Sequence, residues 1–274
     1  MGRQEKRALR VVARALLALL VVGAVVVPAS DAAATKPSFA AFARLLETHT
    51  REGKVAGIRT VLVDYAALAS DPDYAVALSA LASADLSALR TDEAKVAFWI
   101  NAYNLLAWKA VVDRYPLASI RDGGNFFFPI WKKTVGKVGG ESYSLDAIEH
   151  GILLRDFREP RVHMALVCAS LSCPDLRQEP YAPARLGTQL NEQAARFLAN
   201  RSKGMRRAGK TVEVSSIFKW FRDDFQSAGG VATWIRQQAN PATLAMVPDL
   251  SDLRLRYLDY DWRLNDTARL SEGP

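Results

Sequence analysis

The run RVHMALVCASLSCPDLR, Arg161 to Arg177, holds both cysteines of the chain, Cys168 and Cys173, and one of its three histidines, His163. Thiol and imidazole are the side chains that most readily do nucleophilic and acid–base chemistry near neutral pH. Three readings of this run are open. In the first, Cys173 is a nucleophile and His163 its general base. In the second, the two cysteines form a disulfide. An extended chain with this spacing would hold their Cα atoms about 16 Å apart, beyond the roughly 7 Å that a bridge spans, so a turn at Ser170 to Ser172 is required. In the third, His163, Cys168 and Cys173 are soft metal ligands, although C-x₄-C departs from the usual C-x₂-C zinc spacing. No metal site and no cofactor is assigned.

Apolar continuity predicts a strand over Val162 to Ala169. Strand alternation sets His163, Ala165 and Val167 on one face, and Met164, Leu166 and Cys168 on the other. Cys168 then cannot pair with His163, which leaves Cys173 as the thiol candidate.

A third group would be needed to orient such a base. The segment AFWINAYNLLAWKA places Asn101, Asn104 and Trp108 on one face of a helix. Asparagine is a poor helix former, so two in so apolar a helix need a purpose. Either they hold a catalytic histidine or a substrate carbonyl, or they hydrogen-bond neighbouring backbone and fix the packing. In YSLDAIEHGILL, Glu149 and His150 are adjacent, so an α-helix points them about 100° apart and away from any one small pocket. Glu149 shares a face with Leu145, Ile152 and Leu153, which makes it a partly buried carboxylate able to serve an imidazole or anchor an arginine. Asp223 and Asp224 are expected in helix-end salt bridges, with a general acid or an orienting carboxylate as the sharper role. The candidate site is therefore Cys173 and His163, with Asn101 or Glu149 orienting. GKVGG is a hairpin turn that lacks the lysine and Ser/Thr of a phosphate cradle.

The elements that must position these groups follow a leader. Arg3, Lys6, Arg7, Arg10 and Arg14 precede the apolar run Ala15 to Val27, Pro28 and the small residues Ala32 to Ala34. This pattern predicts a secretory signal peptide over residues 1–34, or an N-terminal membrane anchor if it is not cleaved. The expected location is periplasmic or extracellular, with no stable membrane span once the leader is removed. The leader carries +3 of the +7 net charge of the 274-residue chain. The remaining charge is mild, and we assign no nucleic-acid partner. The densest basic patch, Arg201, Lys203, Arg206, Arg207 and Lys210, reads as a solvated loop.

Helical spacing runs through Ser38 to Glu52, Tyr74 to Leu89, Asp92 to Tyr115, Ser144 to Arg155, Leu186 to Leu198, Ser216 to Phe225 and Trp234 to Ala239. Thr91 is the expected N-cap of the long helix, with Pro116 beyond its end. Trp131 to Tyr143 reads as a β-hairpin and Thr211 to Val214 as a short strand. The fold class is α+β: one helix-rich domain with a small, mainly antiparallel sheet. We divide the chain into a helical lead-in (35–62), a domain (63–265) and a C-terminal tail (266–274).

Taken together, AFWINAYNLL, YSLDAIEHGILL, VHMALVCASLSCP, SSIFKWFRDDF and YLDYDWRLN resemble domain-of-unknown-function family 547, which includes exported bacterial members. The blocks occur in the family's order. The resemblance implies no settled activity. A helix opening near a polar residue, followed by a histidine-bearing strand, is also similar to the transglutaminase and papain layout. There a cysteine begins the helix; here Asn101 lies near that place, and the likeness implies a domain that binds rather than cleaves. Two function classes follow. One is a thiol-dependent hydrolase or acyltransferase on peptide-like substrates. The other is a non-catalytic module with structural or disulfide-bonded cysteines, which binds a peptide-like or cell-envelope ligand.

Overall fold

The computed structural model describes residues 37–124, 129–209, 211–246 and 254–271. The expected leader and Lys210 lie outside these residues. Helix α1 (Ala40–His49) leads into the antiparallel hairpin of β1 (Thr50–Val55) and β2 (Ile58–Val63). The helix predicted to run to Glu52 thus stops early, because Thr50 turns its hydroxyl back onto the Leu46 carbonyl and the chain becomes extended. Helices α2 (Tyr65–Leu68) and α3 (Pro72–Ala82) follow, with Asp64 and Asp71 as N-caps.

Helix α4 (Asp92–Val112) is the centre of the main core. Thr91 Oγ1 accepts the Ala94 N–H at 3.1 Å, while Asp92 and Glu93 meet the positive helix end. The helix is buried on almost every side from Val96 to Val111, as expected of a segment that is apolar all round. The same core holds Phe42 and Leu45 of α1, Val61 and Val63 of β2, and the later residues Leu145, Ile148 and Val162.

Strands β3 (Thr134–Val138) and β4 (Glu141–Ser144) make the expected hairpin, turned at Gly139 and Gly140 with positive φ. Helix α5 (Leu145–Ile148) is capped by Ser144 and widens into a π-helical stretch, Glu149–Phe157. Helix α6 (Leu186–Ala199) leads to β5 (Met205–Ala208) and β6 (Thr211–Val214), then to the short α7 (Ile217–Trp220) and a 3₁₀ stretch, Arg222–Ala228. Helices α8 (Val231–Gln238) and α9 (Pro241–Ala245) precede β7 (Arg254–Tyr257). A second apolar cluster, including Phe197, Val214, Phe218, Phe225 and Trp234, fills this half. The architecture is α+β and helix-rich. Hairpin pairing is antiparallel in every sheet, and β6–β7 is a parallel pair. Among the described residues, no helix is long and apolar enough to cross a membrane.

Two further expectations are corrected. Val162 to Ala169 is not a strand: Pro160–Met164 forms a 3₁₀ turn and the chain beyond it is irregular, though buried. Its unbroken apolar character reflects burial from all sides, which periodicity cannot tell from a core strand. Nor is the basic patch a solvated loop. Arg206 and Arg207 lie on β5, and the Lys203 side chain is fully buried.

Lys203 Nζ donates to Asp175 Oδ1 and Thr60 Oγ1, each at 2.7 Å, and is 3.4 Å from the Leu171 carbonyl. It therefore ties β2, the 171–175 segment and the α6–β5 junction to one charge. Burial works against the Asp175 carboxylate, but Lys203 and Arg196 outweigh it and hold its pKa below the ordinary value. Removing one partner would leave the other buried and unpaired. Lys203→Met is expected to cost about 3–5 kcal/mol in chemical denaturation, and pairing it with Asp175→Leu to recover part of that loss. A single-variant cost below about 1 kcal/mol would contradict this assignment.

Candidate functional site

The π-helical turn, the 3₁₀ turn at His163, the loop to Cys173, α7 and the segment after β7 converge on a cavity of about 340 Å³. His163, Cys168, Cys173 and Glu149 all line it. One device on α4 holds the loop that carries three of them. Asn104 Nδ2 donates to the Ala165 carbonyl at 3.0 Å, and its Oδ1 accepts the Val167 N–H at 2.9 Å. Asn101 makes the same two-bond clamp on Tyr181, at 2.8 Å in each direction.

Asn101 is thus not brought together with His163 and Cys173. Its amide is spent on the Tyr181 backbone, and it lines a different hollow beside Phe39 and Phe98. The orienting group of His163 is instead Asp224, whose Oδ2 is 2.8 Å from Nε2. Asp224 sits in the 3₁₀ stretch after α7; its orienting role is among the readings of the sequence, but His163 as its partner is not. The imidazole stacks on Phe221 with centroids 4.2 Å apart, and its side chain is 1% exposed. Among the described residues Nδ1 has no hydrogen-bond partner, and it faces Glu149 Oε1 at 3.7 Å. Neither imidazole nitrogen hydrogen-bonds Cys173.

Glu149 accepts the Tyr103 hydroxyl at 3.2 Å. Burial pushes its carboxyl above the usual glutamate range, and nearby His163 only partly offsets that. Burial likewise pushes the Tyr103 phenol up, so it stays a donor. His150 also lines the cavity, contrary to the 100° argument. A π-helical turn is wider than an α-turn, so successive residues diverge less, and the imidazole reaches the mouth half-exposed near Asp146.

Cys168 and Cys173 are joined by a disulfide, with Cα atoms 6.2 Å apart. The turn that permits it has Ala169 at φ +61° and a Cys173 N–H to Ser170 carbonyl bond of 3.1 Å. Beside it lies an aromatic rim that the sequence did not mark as part of a site. Trp262 stacks on Trp220 at 5.4 Å and lies 4.5 Å from Tyr260 and 5.5 Å from Trp131, centroid to centroid. Trp220 is 46% exposed. Among the described residues, no group of three or more His, Cys, Asp or Glu is arranged to hold a metal ion.

Residues 86–198 match the family described as a protein of unknown function, DUF547. No curated protein and no solved structure matches the chain.

The raised Glu149 pKa fixes a pH dependence. The folded protein holds this proton more tightly than the unfolded chain does, so stability is lost as pH rises from the ordinary glutamate value through the folded one. Glu149→Gln lacks that loss. Denaturation from about pH 4 to about pH 8 is expected to show the variant gaining on wild type as pH rises. Parallel profiles would contradict the burial of an ionisable carboxyl here.

Proposed function

We propose that this member of the DUF547 family is a binding module for a peptide-like or cell-envelope ligand that enters the aromatic cavity. The observation that carries this reading is the rim: Trp131, Trp220, Tyr260 and Trp262 form one contiguous aromatic surface beside polar groups. Contiguous apolar patches rimmed by polar residues mark interaction sites, and concave apolar sites with a few convergent polar groups are where small ligands bind. Flat rings offer large contact area at little entropic cost, and they suit the apolar face of a sugar ring or an aromatic peptide residue. Glu149, Tyr103 and His163 supply hydrogen bonds at the polar end. The closed disulfide supports binding over thiol catalysis.

The second reading, a thiol-dependent hydrolase or acyltransferase, is favoured by one observation: the His163–Asp224 pair and Cys173 line the same cavity. In that reading Cys173 attacks, His163 takes its proton and Asp224 orients the ring, in the role first given to Asn101 or Glu149. It needs the disulfide opened.

Titration of tryptophan fluorescence with a chitotetraose and with a phenylalanine-containing tripeptide tests the binding reading. Saturable quenching by either, weakened about tenfold or more in Trp220→Ala, is the expected result. No response to either at millimolar concentration would overturn it. Under reducing conditions, cleavage of an ester of this tripeptide that is lost in Cys173→Ser would instead favour the hydrolase.

A further inference from the structure

The two sulfurs of the disulfide have unlike surroundings. Cys173 is 2% exposed, whereas Cys168 is partly exposed and lines the cavity. Cys173 Sγ accepts the Cys168 backbone N–H at 3.0 Å and the Tyr260 hydroxyl at 3.2 Å. The Ser170 hydroxyl lies 3.2 Å from the Tyr260 oxygen and 3.4 Å from Cys173 Sγ, so it can support either acceptor. Burial keeps the Tyr260 phenol protonated and hence a donor. Among the described residues, Cys168 Sγ has only the longer contacts, 3.4 Å to Ser170 and 3.5 Å to Tyr260, and no backbone donor. A disulfide sulfur carries no charge and gains little from such donors, whereas a thiolate gains much. Between the cysteines, Ala169 is held at φ +61°, a left-handed conformation that alanine adopts reluctantly.

We propose that the Cys168–Cys173 pair is a thiol–disulfide exchange centre, with Cys168 as the attacked sulfur and Cys173 as the leaving thiolate. Its substrate is a small thiol or dithiol that reaches the cavity. The substrate thiolate attacks Cys168 Sγ and forms a mixed disulfide. The Cys168–Cys173 bond breaks, and its electron pair stays on Cys173 Sγ, where the Cys168 N–H and Tyr260 hydroxyl hold it. A second substrate thiolate then attacks the substrate sulfur of the mixed disulfide, which releases the oxidised substrate and leaves Cys168 as a thiolate. Two thiol protons end on the two cysteines, and two electrons pass from substrate to protein. The rate of such exchange rises as the leaving thiolate is stabilised. This centre depends on the sulfurs' own surroundings, whatever the aromatic rim binds.

The test uses the oxidised chain and reduced glutathione. Samples are quenched in acid, free thiols are blocked with N-ethylmaleimide, and both cysteines are mapped by mass spectrometry. The expected intermediate carries glutathione on Cys168 and maleimide on Cys173. Tyr260→Phe keeps the ring but removes the donor, and is expected to slow reduction on the order of tenfold, the worth of one hydrogen bond to an anion. Glutathione on Cys173, a wild-type rate in a folded Tyr260→Phe, or reduction only after addition of denaturant would each overturn the proposal. If Tyr260→Phe fails to fold, the mapping in wild type decides.

Discussion

The segment from Ala165 to Asp175 is buried without being helix or strand, so its backbone polar groups need partners from elsewhere. Nearly all of the site depends on how that need is met. Asn104 takes the Ala165 carbonyl and the Val167 N–H, and Cys173 Sγ takes the Cys168 N–H. The returning C-terminal chain takes the next groups: the Asn265 N–H meets the Ala169 carbonyl, the Leu171 N–H meets Arg263, and the Ser172 N–H meets Asp261. Lys203 lies within reach of the Leu171 carbonyl, and the Gln193 amide donates to that of Asp175. A buried group left unmatched costs about 1–3 kcal/mol, so these partners together outweigh any local preference of the segment.

The same constraint explains the chemistry of the cavity. A loop fixed by α4 on one side and by the C-terminal chain on the other carries His163 against Phe221 and Asp224, and sets the disulfide beside Tyr260. The C-terminal chain that pairs with Leu171 and Ser172 also brings Tyr260 and Trp262 to the rim. Structure and site are therefore one network. Buried polar side chains carry it, and the hydrophobic core around α4 supplies the rigidity.

Much of the fold was legible in the sequence. Helix α4 shows its Thr91 cap and its unbroken apolar length, and the β3–β4 hairpin shows its paired glycines. At the site, His163, Cys168, Cys173 and Glu149 stood out by residue type, and the structure places all four around one cavity. Their geometry did not stand out. The run at 162–169 reads as a strand because burial on all sides leaves no period, and the strand reading set Cys168 apart from His163. The π-helical widening after Ile148 has no sequence signature, so His150 was turned away from a cavity it lines. Asp224 and Tyr260 come from distant parts of the chain, and only the folded structure shows that they meet His163 and Cys173.

Amide hydrogen exchange of the Asn104→Ala variant tests the dependence of the site on this network most directly. The account predicts that Val167 loses protection by about a hundredfold, the worth of a buried backbone group left without its partner. Leu171, whose N–H is held by the Arg263 carbonyl, keeps its protection. Unchanged protection at Val167, or an equal loss at both amides, would contradict it.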